Sequence, residues 1–163
     1  MVYLGLDPGS ISGAVGALDS NGDYLDSFMI EHKDKNILPI VFKNMILRCI
    51  DPREGAEICM ESVHSMPGQG VASSFQFGRA VGVISAVAEL TNYPFTLVSP
   101  QRWKKHFHLS ADKNESLDLA RSFWPEAKLT LKKHGNRAEA LLIALYWREQ
   151  INGKQDKSKP NPD

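Results

Sequence analysis

Two short apolar runs that each end on a carboxylate constrain the fold of this chain most strongly. The runs Val2–Asp7 and Ala56–Glu61 have the length and apolar character of buried strands, and turn residues follow the first one. Between them, 13–19 and 24–30 read as strands on either side of a turn at 20–23, and 37–50 has helical spacing. We therefore expect an antiparallel three-stranded meander, a helix and a fourth, central strand.

The remainder of the chain alternates between helix and strand. It predicts a fifth strand at Phe95–Val98 and helices at 73–90, from Pro100 onward, at 112–124 and at 136–151. We predict one α/β domain over 1–151, with a five-stranded mixed sheet (three antiparallel strands, then parallel ones) flanked by helices. Residues 152–163 are rich in Lys, Asp, Pro and Asn, which predicts a flexible C-terminal tail.

The balanced total charge conceals an uneven distribution. The 163 residues contain 19 basic and 19 acidic side chains, and a net charge of zero argues at first against nucleic-acid binding. Residues 1–62 hold ten acids and five bases, whereas 63–163 hold nine acids and 14 bases, so the two parts carry −5 and +5. Such asymmetry fits a surface that faces a polyanion, although an ordinary solvated surface also explains it.

Composition also narrows the location of the protein. No uninterrupted apolar run reaches the roughly 18 residues of a membrane span, and the N-terminus lacks the basic region and cleavage site of a signal peptide. Two cysteines cannot build a disulfide framework and fit a reducing compartment. We expect a cytoplasmic protein without a membrane partner or a small-molecule cofactor.

Three acids stand out by their positions: Asp7 and Glu61 end strands, and Glu139 lies in the first turn of the last helix. If the first and fourth strands are neighbours, the three carboxylates meet at one sheet edge, where they repel each other unless cations neutralise them. Clustered carboxylates suit Mg²⁺ or Mn²⁺, and two such ions about 4 Å apart can promote phosphodiester hydrolysis. The same acids also fit a turn, a strand end and a helix dipole, so the pattern leaves both interpretations open.

Five segments, in order and covering residues 2–148, resemble RuvC-type Holliday-junction resolvases, most closely the compact single-domain versions of phages and bacteria. They are LGLDPGS at 4–10 with Gly13, MESVHSMPGQ at 60–69, FGRAVG at 77–82, VSPQRWK at 98–104 and RAEALLIA at 137–144. The resemblance implies an RNase H-like fold, a homodimer, and symmetric nicking of four-way DNA junctions inside a bacterial cell. It also implies two Mg²⁺ ions per active site, for which Mn²⁺ is expected to substitute.

The resemblance assigns metal binding to Asp7 (both ions), Glu61 (one ion) and Glu139. The family often places a second acid or a His just ahead of the last acid, and here His134 and Asn136 are the candidates. Asn136 shares a helix face with Glu139, whereas His134 is the better ligand or proton-transfer group if the turn at Gly135 bends it inward. We favour His134 as the catalytic group and keep Asn136 among the metal ligands.

Activity on a junction also requires contacts to DNA, and Lys and Arg provide the part of binding that does not depend on sequence. In relatives an aromatic residue soon after the strand-end Glu acts as a wedge; here His64 holds that place, with Met66 next and Phe75 or Phe77 as alternatives. Helix 73–90 is either a dimer interface or simply part of the core. The predicted DNA-contacting residues are His64, Met66, Gln69, Arg79, Arg102, Lys104, Lys105, Lys132, Lys133 and Arg137.

Three other functions compete with resolution of junctions. A nuclease of the same fold could act on branched DNA generally or on RNA. A junction-binding protein without activity would explain the absent fourth carboxylate. A phosphotransferase of the actin or sugar-kinase type shares an Asp-x-Gly phosphate loop, but it requires two such lobes, and 163 residues supply one.

Overall fold

The computed structural model describes residues 1–64, 68 and 70–157, and its centre is a five-stranded sheet. The strands are β1 (Val2–Asp7), β2 (Ala14–Leu18), β3 (Tyr24–Met29), the two-residue pair β4 (His32–Lys33) and β5 (Asn36–Ile37), β6 (Ala56–Glu61) and β7 (Phe95–Val98). The order across the sheet is β3-β2-β1-β6-β7. Strand β2 is antiparallel to both of its neighbours, whereas β6 is parallel to both β1 and β7. The predicted mixed sheet is confirmed. The pair β4 and β5 forms a separate small hairpin that the sequence analysis did not predict.

Helices cover both faces of this sheet. They are α1 (Pro39–Leu47), α2 (Val71–Glu89), α3 (Pro100–His106), α4 (Lys113–Phe123) and α5 (Gly135–Lys157), with 3₁₀ turns at Pro125–Ala127 and Lys132–His134. Proline begins α1 and α3, and the Asp112 carboxylate caps α4 by accepting a 2.9 Å hydrogen bond from the Asn114 N–H. Helix α5 continues past its predicted end at Ile151, so the predicted start of the tail lies inside a helix; residues 158–163 lie outside the described residues.

Side chains alternate between the two faces along the central strands. On β1, Leu4 and Leu6 pack with α1 and α2, whereas Tyr3 packs with α3, α4 and α5; on β6, Ile58 and Cys59 divide in the same way. Because the alternation has a period of two, the strand-end acids fall on the face covered by α5. Strand alternation therefore places both Asp7 and Glu61 on the face of the sheet that α5 covers.

Helix α5 approaches the sheet more closely than ordinary side chains allow. A Cβ atom on Gly5 of β1 would lie 1.9 Å from the carbonyl oxygen of Ala140, and one on Gly16 of β2 would lie 2.5 Å from the Leu141 nitrogen. Both of these atoms belong to the backbone of α5, so a side chain could not be accommodated by a rotamer change. The two glycines thus set the height of α5, and with it the height of Glu139, above the sheet.

Helix α2 is long and apolar, but only part of it is buried. Among the described residues it is the one helix that could cross a membrane by length and composition, with a mean hydropathy of 1.3 over an 18-residue window that is 22% buried. No membrane span was predicted from the sequence, because polar residues such as Arg79 interrupt the apolar run. The core helix of a soluble protein passes the same test, and Ile84 and Val87 do pack into the core. The opposite side exposes Gly78, Gly82 and Phe75.

Candidate active site

Two of the three predicted acids meet at one edge of the sheet. Leu6 of β1 pairs with Met60 of the parallel strand β6, so the next residues, Asp7 and Glu61, end adjacent strands side by side. Asp7 is buried and Glu61 is half-buried. The predicted adjacency of the first and fourth strands is therefore what places these carboxylates together.

Glu139 enters from α5, where its buried carboxylate is paired with two lysines. Lys104 Nζ of α3 lies 2.9 Å from Oε1, and Lys113 Nζ at the start of α4 lies 3.2 Å from Oε2. The Ser116 hydroxyl is 3.5 Å from Oε1. Lys104 was predicted as a DNA contact, and in this structure its ammonium group also lies in the acid cluster.

Trp103 fixes the orientation of Glu61. This fully buried indole donates a 2.8 Å hydrogen bond from Nε1 to Oε1 of Glu61. Neither Trp103 nor Ser116 was among the site residues predicted from the sequence. A buried indole N–H needs an acceptor, and that requirement was the available signal for Trp103; nothing in the sequence marks Ser116.

The cluster carries an excess of negative charge that its surroundings only partly offset. Burial raises the pKa of Asp7 well above its usual range, and the charges of Glu139 and Glu61 add to the increase, while Lys113 and Lys104 oppose it. Burial also raises the pKa of Glu61, against the effect of the Trp103 hydrogen bond. For Lys113, burial lowers the pKa, but the carboxylates of Glu139 and Asp7 outweigh that effect and the net pKa is raised. Added positive charge would stabilise the ionised acids.

The donor chemistry of the cluster fits a hard divalent cation. Three carboxylates supply the oxygen ligands that Mg²⁺ prefers. Among the described residues, no three His, Cys, Asp or Glu side chains lie within one coordination sphere. Lys104 and Lys113 occupy both oxygens of Glu139, so a cation would have to compete with these two ammonium groups.

His134 and Asn136 lie in different surroundings. His134 ends the 3₁₀ turn before α5, and its Nδ1 accepts a 3.3 Å hydrogen bond from the Leu131 N–H. Burial and the nearby charges of Arg137 and Lys133 lower the pKa of His134. Gly135 has ordinary right-handed helical angles, so it does not bend His134 toward Glu139 as our preference for His134 required.

Asn136 contacts the acid cluster through a lysine. Its Oδ1 accepts a 2.8 Å hydrogen bond from Lys113 Nζ, and its Nδ2 donates to the Ser12 carbonyl oxygen in the loop after β1. Of the two candidates for the fourth position, Asn136 is hydrogen-bonded to a lysine of the acid cluster, whereas His134 accepts a hydrogen bond from the Leu131 N–H in the turn before α5.

The other predicted DNA-contacting residues fall into three groups. Arg137 donates to Ser27 and to the Ala127 carbonyl oxygen, and Arg79 donates to the Asn36 side chain, so both are engaged within the chain. Met66 and Gln69 lie outside the described residues. The exposed candidates are His64, Arg102, Lys105, Lys132 and Lys133.

A broad cleft adjoins the acid cluster on the α3 side. Its volume is about 820 Å³, and its lining includes Gln101, Lys104, Lys105 and His108. Lys104 connects the cleft to the acid cluster, because its ammonium group contacts Glu139. The size and basic rim of the cleft can accommodate a strand of nucleic acid.

The predicted α/β fold, a mixed five-stranded sheet flanked by helices, is confirmed, and the solved structure of a RuvC protein shares it. The chain matches no protein-family model and no curated protein. It is similar to the solved structure of Thermus thermophilus RuvC in complex with Holliday junction substrate, with a TM-score of 0.69 and 17% identity over 94% of this chain and 97% of that chain.

Two further solved structures share the fold. The fowlpox virus Holliday junction resolvase has a TM-score of 0.57 and 10% identity over 93% of this chain and 99% of that chain. The yeast mitochondrial Holliday junction resolvase Ydc2 has a TM-score of 0.56 and 18% identity over 94% and 81%. At these identities the similarity establishes the fold alone, over the 93–94% of this chain that the matches cover.

Proposed function

We propose that this chain is a metal-dependent endonuclease that resolves four-way (Holliday) DNA junctions by paired phosphodiester nicks. The observation that carries the proposal is the position of Asp7, Glu61 and Glu139, three acids from β1, β6 and α5 whose charges act on one another at one edge of the sheet. Three solved structures share this fold: two are of proteins named Holliday junction resolvases, and one is of RuvC in complex with Holliday junction substrate. Clustered acids with perturbed pKa values are typical of catalytic sites.

In this proposal the three acids hold two Mg²⁺ ions, with Mn²⁺ able to replace them. When bound, the ions activate water and neutralise charge on the phosphodiester. Trp103 keeps the Glu61 carboxylate in one orientation through its indole N–H. Lys104 and Lys113 hold Glu139 in place, and either ammonium can stabilise negative charge that develops on a phosphate oxygen. Asn136 positions Lys113.

A homodimer would match the symmetry of the substrate. A four-way junction presents two equivalent nick sites, and a twofold pair supplies two matching active sites. Helix α2 offers the surface for this: Gly78 and Gly82 have nothing within 4 Å of an added Cβ, and Phe75 is 72% exposed beside them. Small residues on an apolar helix face permit two helices to approach closely.

Cleavage of synthetic DNA tests the proposed reaction. We expect purified protein to nick a labelled four-way junction symmetrically in Mg²⁺ and to leave it intact in EDTA. Asp7→Asn should reduce the rate by roughly a thousandfold or more, because a metal ligand is lost, while junction binding in EDTA persists. The matched control is Asp118→Asn, an exposed acid on α4 that pairs with Arg121 and should cleave as wild type does.

The outcomes also separate the alternatives. Equal cleavage of three-way or linear DNA, or of RNA, would point to a broader nuclease of the same fold. The second candidate, a junction-binding protein without activity, is favoured by Asn136 at the fourth position and by the lysines on Glu139. Tight junction binding without cleavage in Mg²⁺ or Mn²⁺ would establish that candidate, and nicking retained by Asp7→Asn would exclude the metal mechanism.

A further inference from the structure

A second cavity lies close to the acid cluster but contains none of its acids. It has a volume of about 460 Å³ and forms where the loop after β1, strand β3 and the turn before α5 meet. Its lining residues are Ser12, Ser27, Phe28, Met29, Lys133, His134 and Arg137. No acidic side chain is among the described residues that line it.

One positive group of this cavity, Arg137, is held in place by the fold. Arg137 donates from Nε (3.1 Å) and Nη2 (2.8 Å) to Ser27 Oγ, and from Nη2 to the Ala127 carbonyl oxygen (3.0 Å), so the guanidinium is fixed. His134 uses Nδ1 as an acceptor for the Leu131 N–H, which leaves Nε2–H as the donor of the neutral ring. Lys133 is exposed at the rim. The cavity thus combines positive charge, a ring N–H and the Ser12 hydroxyl, and its described lining residues include no anion.

Resting on the proposed function, we propose that this cavity binds a phosphate group of the DNA backbone beyond the scissile one. Charge complementarity identifies the ligand class, because a phosphodiester accepts hydrogen bonds from Lys, Arg, His and Ser and brings the missing negative charge. Phe28 and Met29 supply an apolar wall against which the adjoining sugar can pack.

The sheet order gives this phosphate site a place on the substrate. The cavity lies on the β2 and β3 side of the acids, whereas the cleft beside α3 lies on the β6 and β7 side. The two basic regions therefore flank the carboxylates. Asn136 ties the near wall to the cluster through the Ser12 carbonyl oxygen, so the spacing between this phosphate site and the acids is fixed.

Junction binding in EDTA, measured by fluorescence anisotropy over a range of salt concentrations, tests the inference. Lys133→Gln should weaken binding about three- to tenfold near 0.1 M salt and reduce the slope of log K against log[salt] by about one, as expected for one lost phosphate contact. Ser12→Asp, which puts a carboxylate into the same cavity, should weaken binding at least as much. The matched control is Lys43→Gln on α1, a helix that contributes none of the described residues lining this cavity; this variant should behave as wild type does.

Each result decides between the possibilities. If wild type binds the junction and both cavity variants bind with the same affinity and salt slope as Lys43→Gln, the phosphate site is overturned and the proposed function stands. If wild type binds no DNA, both proposals fail. Calorimetric titration with inorganic phosphate and with dAMP should show no binding at millimolar concentration. Binding of dAMP that Lys133→Gln abolishes while junction affinity is unchanged would reassign the cavity to a free nucleotide.

Discussion

The Asp7 carboxylate illustrates a conflict between folding and function at the scale of one residue. It is buried at the end of β1, next to two other acids. Removing a carboxylate from water disfavours its charged form, and neighbouring negative charges disfavour it further. The metal-free protein therefore carries a stability cost at Asp7 that a purely structural core position would not have.

Asp7→Asn should stabilise the metal-free protein at neutral pH. The folded-state pKa of Asp7 is raised above its ordinary value of 3.8, so below that value the side chain is protonated in both states and burial carries no charge penalty. As the pH rises from 3.8 through the raised pKa, wild type loses stability relative to the variant, and the difference is constant above it. Each kcal/mol of relieved penalty should raise Tm by about 2–4 °C.

Thermal unfolding in EDTA at a series of pH values measures this difference. The exposed control Asp118→Asn should show no gain at any pH, since its carboxylate is already in solvent. If the Tm of Asp7→Asn equals that of wild type at pH 8, or if the Tm difference grows as the pH falls, the burial of the Asp7 charge does not cost stability. The same variant loses the proposed activity, so stability and catalysis are opposed at this position.

At the scale of elements, the contact of α5 with β1 and β2 decides whether the site is assembled. Gly5→Ala would bring a Cβ to 1.9 Å from the Ala140 carbonyl oxygen, which cannot move without α5. We expect a loss of about 3 kcal/mol or more in the free energy of unfolding, and displacement of Glu139 from Asp7. Urea denaturation measures the first effect.

Gly153→Ala is the matched control for this prediction. Gly153 lies on α5, the helix that packs against Gly5, and nothing lies within 4 Å of a Cβ atom added at Gly153. Alanine should therefore be neutral or stabilise the protein by up to about 1 kcal/mol through its helix propensity. Equal stability of Gly5→Ala and Gly153→Ala would show that α5 does not rest on the glycines.

Elements with a strong local signal were predictable from sequence, and those set by tertiary contacts were not. The strands at 56–61 and 95–98 match their predicted bounds because apolar runs between turn residues leave little choice. The hairpin of β4 and β5 was missed because polar residues dominate it and Lys35 adopts a positive φ of 63° that its residue type does not announce. Helix α2 begins at Val71, two residues before the predicted start at 73, and Gly70 takes the N-cap position.

The same distinction, between local sequence signals and tertiary contacts, applies to the residues of the candidate site. The positions of Asp7 and Glu61 followed from strand alternation and strand order, which the sequence pattern predicts. The choice between His134 and Asn136 depended on the backbone angles of Gly135, a residue that can adopt either hand. The lysines on Glu139 come from helices far away in the chain, and no spacing rule connects them to it.

At the scale of the whole molecule, the exposed apolar side of α2 predicts a dimer. Gly82→Leu should leave the monomer folded, because a Cβ there meets nothing within 4 Å, and should weaken self-association at least tenfold by blocking close helix approach. Sedimentation equilibrium measures the association, and Gly153→Leu provides the same change at another exposed helical glycine. A wild-type protein that is monomeric throughout, or a Gly82→Leu variant that dimerises normally, would exclude α2 as the interface.

The assembly of the site from β1, β6 and α5 has a consequence for synthesis on the ribosome. Asp7 is made early, but Glu139 belongs to α5, which follows all the strands of the sheet and packs on the first of them. A nascent chain that has emerged only as far as β7 contains Asp7 and Glu61 but not Glu139. It therefore lacks the packing of α5 against the two strand glycines and the ion pairs of Glu139 with the lysines. The site of the proposed nuclease is therefore complete only after α5 has been made, and we expect translation products that stop before α5 not to cleave DNA.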